Sequence, residues 1–160
     1  MNSLKTTVIQ TQKLSINMTI IPLDIESYGR YFEDDPVRPH LSKEFRTTDN
    51  RRSFALVRDN ETEPNAIICC AFCEEVPADE KDLDKSGDIA VFYTVWSYTK
   101  GAGADLVNDV VDYIKDKYPQ TRRFVTLSPQ TTMAERFHLR NGAFKLRTNA
   151  ETVNFEYKEI

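Results

Sequence analysis

Two places in this 160-residue sequence carry residue types in a spacing that chemistry can use. The first is Tyr98-Thr99-Lys100-Gly101-Ala102-Gly103-Ala104-Asp105, preceded by Trp96-Ser97. Two glycines two apart let a backbone pass close to a ligand. A helix beginning there points unpaired N–H groups and the positive end of its dipole outward, which suits a diphosphate. Lys100 adds a cation beside them. No G-K-[ST] follows, and the third glycine of a dinucleotide fingerprint is missing. A tight strand-to-helix turn is the competing reading of the same residues. Trp96 beside the loop suits an acyl pocket or core packing equally well.

The second place is the pair Ser128 and His138, with nine residues between them. Ser128 follows a strand-like run, and His138 lies on the next helical run. Contact between them would let the imidazole activate the hydroxyl or reprotonate through it. Ser128-Pro129 ahead of Thr131 and Thr132 also reads as a plain helix start with a hydroxyl cap.

These residues need a frame. Residues 5–23 are rich in Thr, Val and Ile and predict one or two strands. A helix is expected near 24–34 and another near 41–48. Strands follow at 52–58, 66–76 and 88–97, separated by a turn at 59–64 and a charged loop at 77–87. Leu106, Val107, Val110, Val111, Ile114 and Tyr118 recur at helical spacing, so 104–118 predicts an amphipathic helix stopped by Pro119. A strand at 123–127, a helix at 131–140 closed by Gly142, and a hairpin of 143–147 with 153–157 complete the chain. The order predicts one mixed α/β domain over residues 1–160.

Composition removes several classes of function. Twenty-one basic residues against 25 acidic ones give a net charge of −4, against nucleic-acid binding. No apolar run is long enough to span a bilayer, and the first residues lack the apolar core of a signal peptide, so a cytoplasmic protein is expected. Cys69, Cys70 and Cys73 are odd in number and lack the second pair of a zinc site. They read as buried thiols in a strand, with Cys69 and Cys73 on one face and Cys70 on the other. No metal is expected. Arg122 and Arg123 fit a phosphate contact or a solvated strand entry, and His40 has no legible partner.

Strand, G-x-G loop, amphipathic helix, strand and a short helix ending in Asn141-Gly142 resemble the acyl-CoA-binding half of the GNAT acetyltransferase superfamily. Gly101 and Gly103 match its Q/R-x-x-G-x-G/A loop, and Tyr98 departs from the usual Gln or Arg. Four stretches look more closely like the catalytic domain of malonyl-CoA decarboxylase: Ile89–Val95, Phe124-Val125-Thr126-Leu127-Ser128-Pro129, Phe137-His138-Leu139-Arg140-Asn141-Gly142-Ala143 and Asn154-Phe155-Glu156-Tyr157. The likeness covers roughly residues 50–160. It implies a GNAT-like α/β fold with a mixed, mostly antiparallel sheet flanked by helices. It implies coenzyme A or acyl-CoA as substrate, held by Trp96, Ser97, Tyr98, Lys100, Gly101, Ala102, Gly103 and Ala104. It implies Ser128, His138 and Tyr157 as catalytic residues. The family's insertion between its serine and histidine is absent, and so is its loop glutamate. Acetyl transfer to a small-molecule or protein amine is the alternative activity, and a non-catalytic CoA-binding module a second. A homodimer is compatible with either.

Overall fold

The computed structural model describes residues 17–157. Eight strands form one mixed sheet: β1 (Met18–Pro22), β2 (Arg51–Arg58), β3 (Pro64–Cys73), β4 (Ile89–Ser97), β5 (Arg123–Thr126), β6 (Ser128–Pro129), β7 (Ala143–Thr148) and β8 (Thr152–Tyr157). Their order is β1-β2-β3-β4-β5-β8-β6, with β7 also paired to β8. Only β4 and β5 run parallel; every other pair is antiparallel. The part of the expected first strands at 5–16 lies outside the described residues.

The central strand β3 is buried at every position. A strand covered on both faces reads as a continuous apolar run rather than an alternating one. Ile68, Cys70 and Phe72 face one layer, and Ile67, Cys69, Ala71 and Cys73 the other. The expected split of the cysteines therefore holds, and all three are buried, free thiols. Helix α2 (Ala102–Lys117) covers the first face with Leu106, Val107, Val110, Val111 and Ile114, joined by α3 (Thr132–Arg140).

The second face is covered by the N-terminal segment. The helix expected near 24–34 is one α turn, α1 (Ile25–Tyr28), continued by a 3-10 turn at Gly29–Asp34. The helix expected near 41–48 shrinks to a 3-10 turn at Phe45–Thr47. Arg46 explains the difference. Its guanidinium is turned inward and donates to the carbonyls of Arg38 (2.7 Å) and Leu41 (3.2 Å), which a regular helix would not leave in reach. It also pairs with Asp35 at 2.8 Å, both side chains being fully buried. The other Asp35 oxygen accepts from the amides of Val37 and Arg38 and from Thr94 Oγ1. Burial alone would raise the Asp35 carboxyl, but these bonds and Arg46 hold it below its ordinary value.

Two irregularities in β4 shape the site. Its register with β3 passes from Cys69↔Thr94 to Cys70↔Phe92, so Tyr93 is an extra, bulged residue. The bulge shifts the facing by one: Phe92 packs under the helices, Tyr93 and Thr94 both meet the N-terminal layer, and Val95 returns to the helix side. Pairing with β5 ends at Phe92↔Thr126, closed by Leu127 N–H to Phe92 O at 2.9 Å. Beyond it, β4 runs on to Ser97 with no strand on that side among the described residues. The sheet opens there.

Candidate active site

The loop from β4 to α2 uses its glycines for two different reasons. Gly101 caps the helix at φ 83°, a left-handed conformation that L side chains avoid. Gly103 sits where a Cβ would lie 2.6 Å from Ser97 Oγ. The helix starts at Ala102, two residues earlier than the spacing predicts. The amide of Ala102 is spent on Thr99 O and that of Asp105 on Gly101 O. The amides of Lys100, Gly101, Gly103 and Ala104 have no acceptor among the described residues, and Lys100 is exposed beside them. These are the donors that an anion would meet.

Asn65 on β3 braces the loop, a role with no signal in the sequence. Its carbonyl accepts from the amides of Tyr98 (2.8 Å) and Thr99 (3.3 Å), and its Oδ1 from Thr99 Oγ1 (2.8 Å). Tyr98 ties the loop to the N-terminal layer: its hydroxyl donates to Asp34 Oδ2 at 2.6 Å and accepts from Trp96 Nε1 at 3.0 Å. Burial and the Asp34 carboxylate push that phenol's pKa up, so it stays protonated. Trp96 is buried in the core of the same layer.

Helix α3 is capped by Thr131, whose Oγ1 accepts from Ala134 N at 3.1 Å. Ser128 is therefore not the cap. It lies in β6 opposite Val153, is 3% exposed, and its Oγ is 2.8 Å from Thr126 Oγ1. The expected Ser128–His138 hydrogen bond is not formed among the described residues. His138 Nδ1 instead meets the Tyr157 hydroxyl at 2.7 Å. The reason is topological: β8 brings Tyr157 beside Phe124 under the C-terminal end of α3, while Ser128 is held at the far end of β8.

The His138–Tyr157 pair is almost dry, the two residues being 6% and 7% exposed. The imidazole stacks on Phe155 at 5.3 Å and meets Phe137 edge-on at 5.1 Å. Burial pushes His138 down to about 4 and the Tyr157 phenol up, so both are uncharged at neutral pH. Tyr157 has no other acceptor among the described residues. Its O–H therefore donates to Nδ1, and this bonding assigns the remaining ring hydrogen to Nε2. The ring of Phe92, the last β4 residue paired to β5, meets that of Tyr157 edge-on with centroids 6.5 Å apart, which sets this pair against the end of the β4–β5 pairing from the helix side.

From the other face, Arg38 Nη1 donates to the carbonyl of the bulged Tyr93, and its Nε to Glu80 Oε2 at 2.9 Å. His40 Nε2 meets the other Glu80 oxygen at 2.8 Å, the partner that the sequence did not disclose. Arg122 pairs with Asp88, and Arg123 is bidentate to Glu156 at 2.9 and 2.8 Å, so both arginines are engaged in ion pairs. A cleft of about 380 Å³ between α3 and β7–β8 lies away from the loop. Among the described residues, no three or more His, Cys, Asp or Glu side chains gather as a metal site, and no helix is long and apolar enough to cross a membrane.

A bulged β4, its parting from parallel β5, and a glycine loop opening α2 define a GNAT-like fold. Solved structures share it. Malonyl-CoA decarboxylase from Cupriavidus metallidurans aligns with a TM-score of 0.69 and 17% identity, over 90% of this chain and 61% of that one. The Rhodopseudomonas palustris enzyme gives 0.67 and 17%, over 88% and 56%. The chain thus spans about three fifths of the length of these decarboxylases. The PaiA N-acetyltransferase of Thermoplasma acidophilum, in complex with coenzyme A, gives 0.59 and 15%, over 90% of this chain and all of that one. No family model matches the sequence, and no curated protein matches it.

Proposed function

We propose that the protein is an enzyme of acyl-CoA thioesters and that its reaction is decarboxylation of a malonyl-type acyl group. The observation that carries this reading is the uncharged His138–Tyr157 pair packed against the point where β4 leaves β5. The diphosphate of coenzyme A takes the free amides of Lys100, Gly101, Gly103 and Ala104, and Lys100 adds charge. The pantetheine arm then follows the unpaired side of β4 from Ser97 toward Tyr93, about 13 Å at ~3.3 Å per residue.

In the reaction, the bond between the acyl carboxylate and its neighbouring carbon breaks. The electron pair enters the thioester carbonyl, and carbon dioxide leaves. The enolate oxygen gains negative charge and needs preorganised donors. His138 supplies its Nε2–H as a neutral donor, fixed in that tautomer by Tyr157; a neutral imidazole in this role is an established device. A histidine held near 4 is not an acid at neutral pH, so the proton that reaches carbon comes from solvent. The Ser128 and Thr126 hydroxyls bond each other, and Thr126 Oγ1 accepts from Phe155 N of β8, so both are committed on the β8 side of β5.

Acetyl transfer to an amine is the second reading, favoured by the full-length match to an acetyltransferase of this size. There the same Nε2–H would meet the departing thiolate. Mass spectrometry of the thioester pool after adding the protein to malonyl-CoA, and to acetyl-CoA with amines, separates the readings. Acetyl-CoA and carbon dioxide formed without an acceptor support decarboxylation. Turnover only with an amine replaces it by transfer, and binding without turnover leaves a CoA-binding module. If Ser128 acts with His138, Ser128→Ala and His138→Ala each remove turnover, and the double variant is no worse than either.

A further inference from the structure

The bulge in β4 has no local cause. Phe92-Tyr93-Thr94-Val95 is an aromatic and β-branched run that favours a regular strand, with no Gly, Pro, Asn or Asp in it. Neither Tyr93 nor Thr94 takes a left-handed backbone. Tyr93 gains nothing for its hydroxyl, which is buried with no hydrogen-bond partner among the described residues. A tertiary contact has to favour the extra residue.

The register shows what the bulge changes. Opposite residues of an antiparallel pair share a face of the sheet. Before the bulge, Phe92 lies opposite Cys70. A regular strand continuing from there would set Tyr93 against Cys69, Thr94 against Ile68, Val95 against Ile67 and Trp96 against Ala66. Ile68 and Ala66 face the helices, so the Thr94 hydroxyl would enter an apolar layer and Trp96 would follow it. In the bulged strand Thr94 lies opposite Cys69, Val95 opposite Ile68 and Trp96 opposite Ile67. Tyr93 faces the N-terminal layer in either register, whereas every side chain beyond it changes face.

Thr94 distinguishes the two registers. In the bulged one its Oγ1 donates to Asp35 Oδ1 at 2.9 Å, and Asp35 is its only partner among the described residues. Asp35 is fixed independently, by Arg46 at 2.8 Å and by the amides of Val37 and Arg38 at 2.8 and 2.9 Å. Arg46 Nη1 also reaches Cys69 Sγ at 3.6 Å, so the buried ion pair sits over the step in register. A bond to a buried carboxylate is stronger than one between neutral groups, and a regular strand would forfeit it.

The consequence reaches the glycine loop. The bulge takes up one residue, so a regular β4 would enter the loop about 3.3 Å further along β3. The bulged strand brings Ser97 Oγ under Gly103, Trp96 Nε1 to the Tyr98 hydroxyl and the Tyr98 amide to Asn65 O. A slip would undo all three.

We infer that Asp35 is the positioning residue of the β4 bulge: by accepting from Thr94 it selects the bulged register over the regular one, and so sets the glycine loop. The effect on coenzyme A rests on the acyl-CoA reading above; the choice of register does not.

The full chain carrying Thr94→Val tests this, beside Thr94→Ser. Valine lacks the hydroxyl and suits the helix-side layer next to Ile68; serine keeps the hydroxyl. Cross-strand NMR contacts between backbone protons read the register, and calorimetry reads CoA affinity. Thr94→Val is expected to put position 94 opposite Ile68 and Trp96 opposite Ala66. CoA affinity should fall at least about tenfold with it, because the displaced loop amides lose hydrogen-bonding distance to the diphosphate. Thr94→Ser should keep both the register and the affinity. Thr94→Ala, small enough for either face, carries the test if Thr94→Val does not fold. An unchanged register without the hydroxyl, or a slipped one in Thr94→Ser, overturns the inference. A slip with unchanged CoA affinity overturns the link to the loop. Failure of the unaltered protein to bind CoA overturns the acyl-CoA reading alone, and the register still decides the role of Asp35.

Discussion

Acid should destabilise this protein through His138, and the size of the effect follows from its burial. In water a histidine titrates near 6.5; in the native state burial pushes His138 down to about 4. Between those values the unfolded chain takes up a proton that the folded one refuses. Stability therefore rises with pH across the window and is lost as pH falls from about 6.5 toward 4. At roughly 1.4 kcal/mol per unit, the whole window is worth about 3 kcal/mol, and the step from pH 7.5 to pH 5 about 2 kcal/mol. For a chain of this size that step lowers Tm by about 4–8 °C. The control is the double variant His138→Phe/Tyr157→Phe. It removes the titrating ring together with its only partner, so no buried polar atom is orphaned, and every other group's titration cancels in the comparison. Asp35 also loses its stabilising charge in acid, but only below 3.8, outside this window. Urea unfolding at pH 7.5 and pH 5 on both proteins reads the difference directly. Nitrogen NMR of the imidazole gives the second readout: one ring nitrogen protonated, at Nε2, down to pH 5. Equal pH dependence in the two proteins, or an imidazole that titrates near 6.5, would refute the claim that His138 is held neutral and with it the donor role assigned to Nε2–H.

Two further outcomes follow from the same geometry. Gly103→Val drives a branched side chain against Ser97 Oγ, 2.6 Å from the new Cβ, and crowds the loop; CoA affinity in calorimetry should fall by at least about tenfold, whereas Gly101→Ala, strained only through its φ of 83°, should cost roughly 1 kcal/mol of stability. Asp35→Asn leaves Arg46 buried without its counter-charge and should cost about 3–5 kcal/mol in chemical denaturation, and a loss within experimental error would mean that the ion pair does not hold the N-terminal layer.

Elements whose signals are local were legible in the sequence. The apolar positions from Leu106 to Ile114 recur at helical spacing, so α2 was legible to within two residues at its start and one at its end. Pro119 and Gly142 marked helix ends through their own backbone preferences, and the β-branched runs marked the strands. The two glycines announced a close approach, because the left-handed turn at Gly101 disfavours L side chains and a Cβ at Gly103 would crowd Ser97 Oγ. Which side chains meet depends on long-range pairing that local signals do not carry. The spacing of Ser128 and His138 allows a contact, but β8 delivers Tyr157 to the imidazole and gives Ser128 to Thr126 instead. The bulge at Tyr93 leaves no mark in composition, since it arises from pairing with β3, yet it turns Thr94 toward Asp35. No local pattern in the sequence marks Asp35, Arg38 or Arg46 as buried. They are buried because the N-terminal segment must close the second face of a sheet whose strands are apolar on both sides, and long-range closure of that kind leaves no periodicity for a sequence to display.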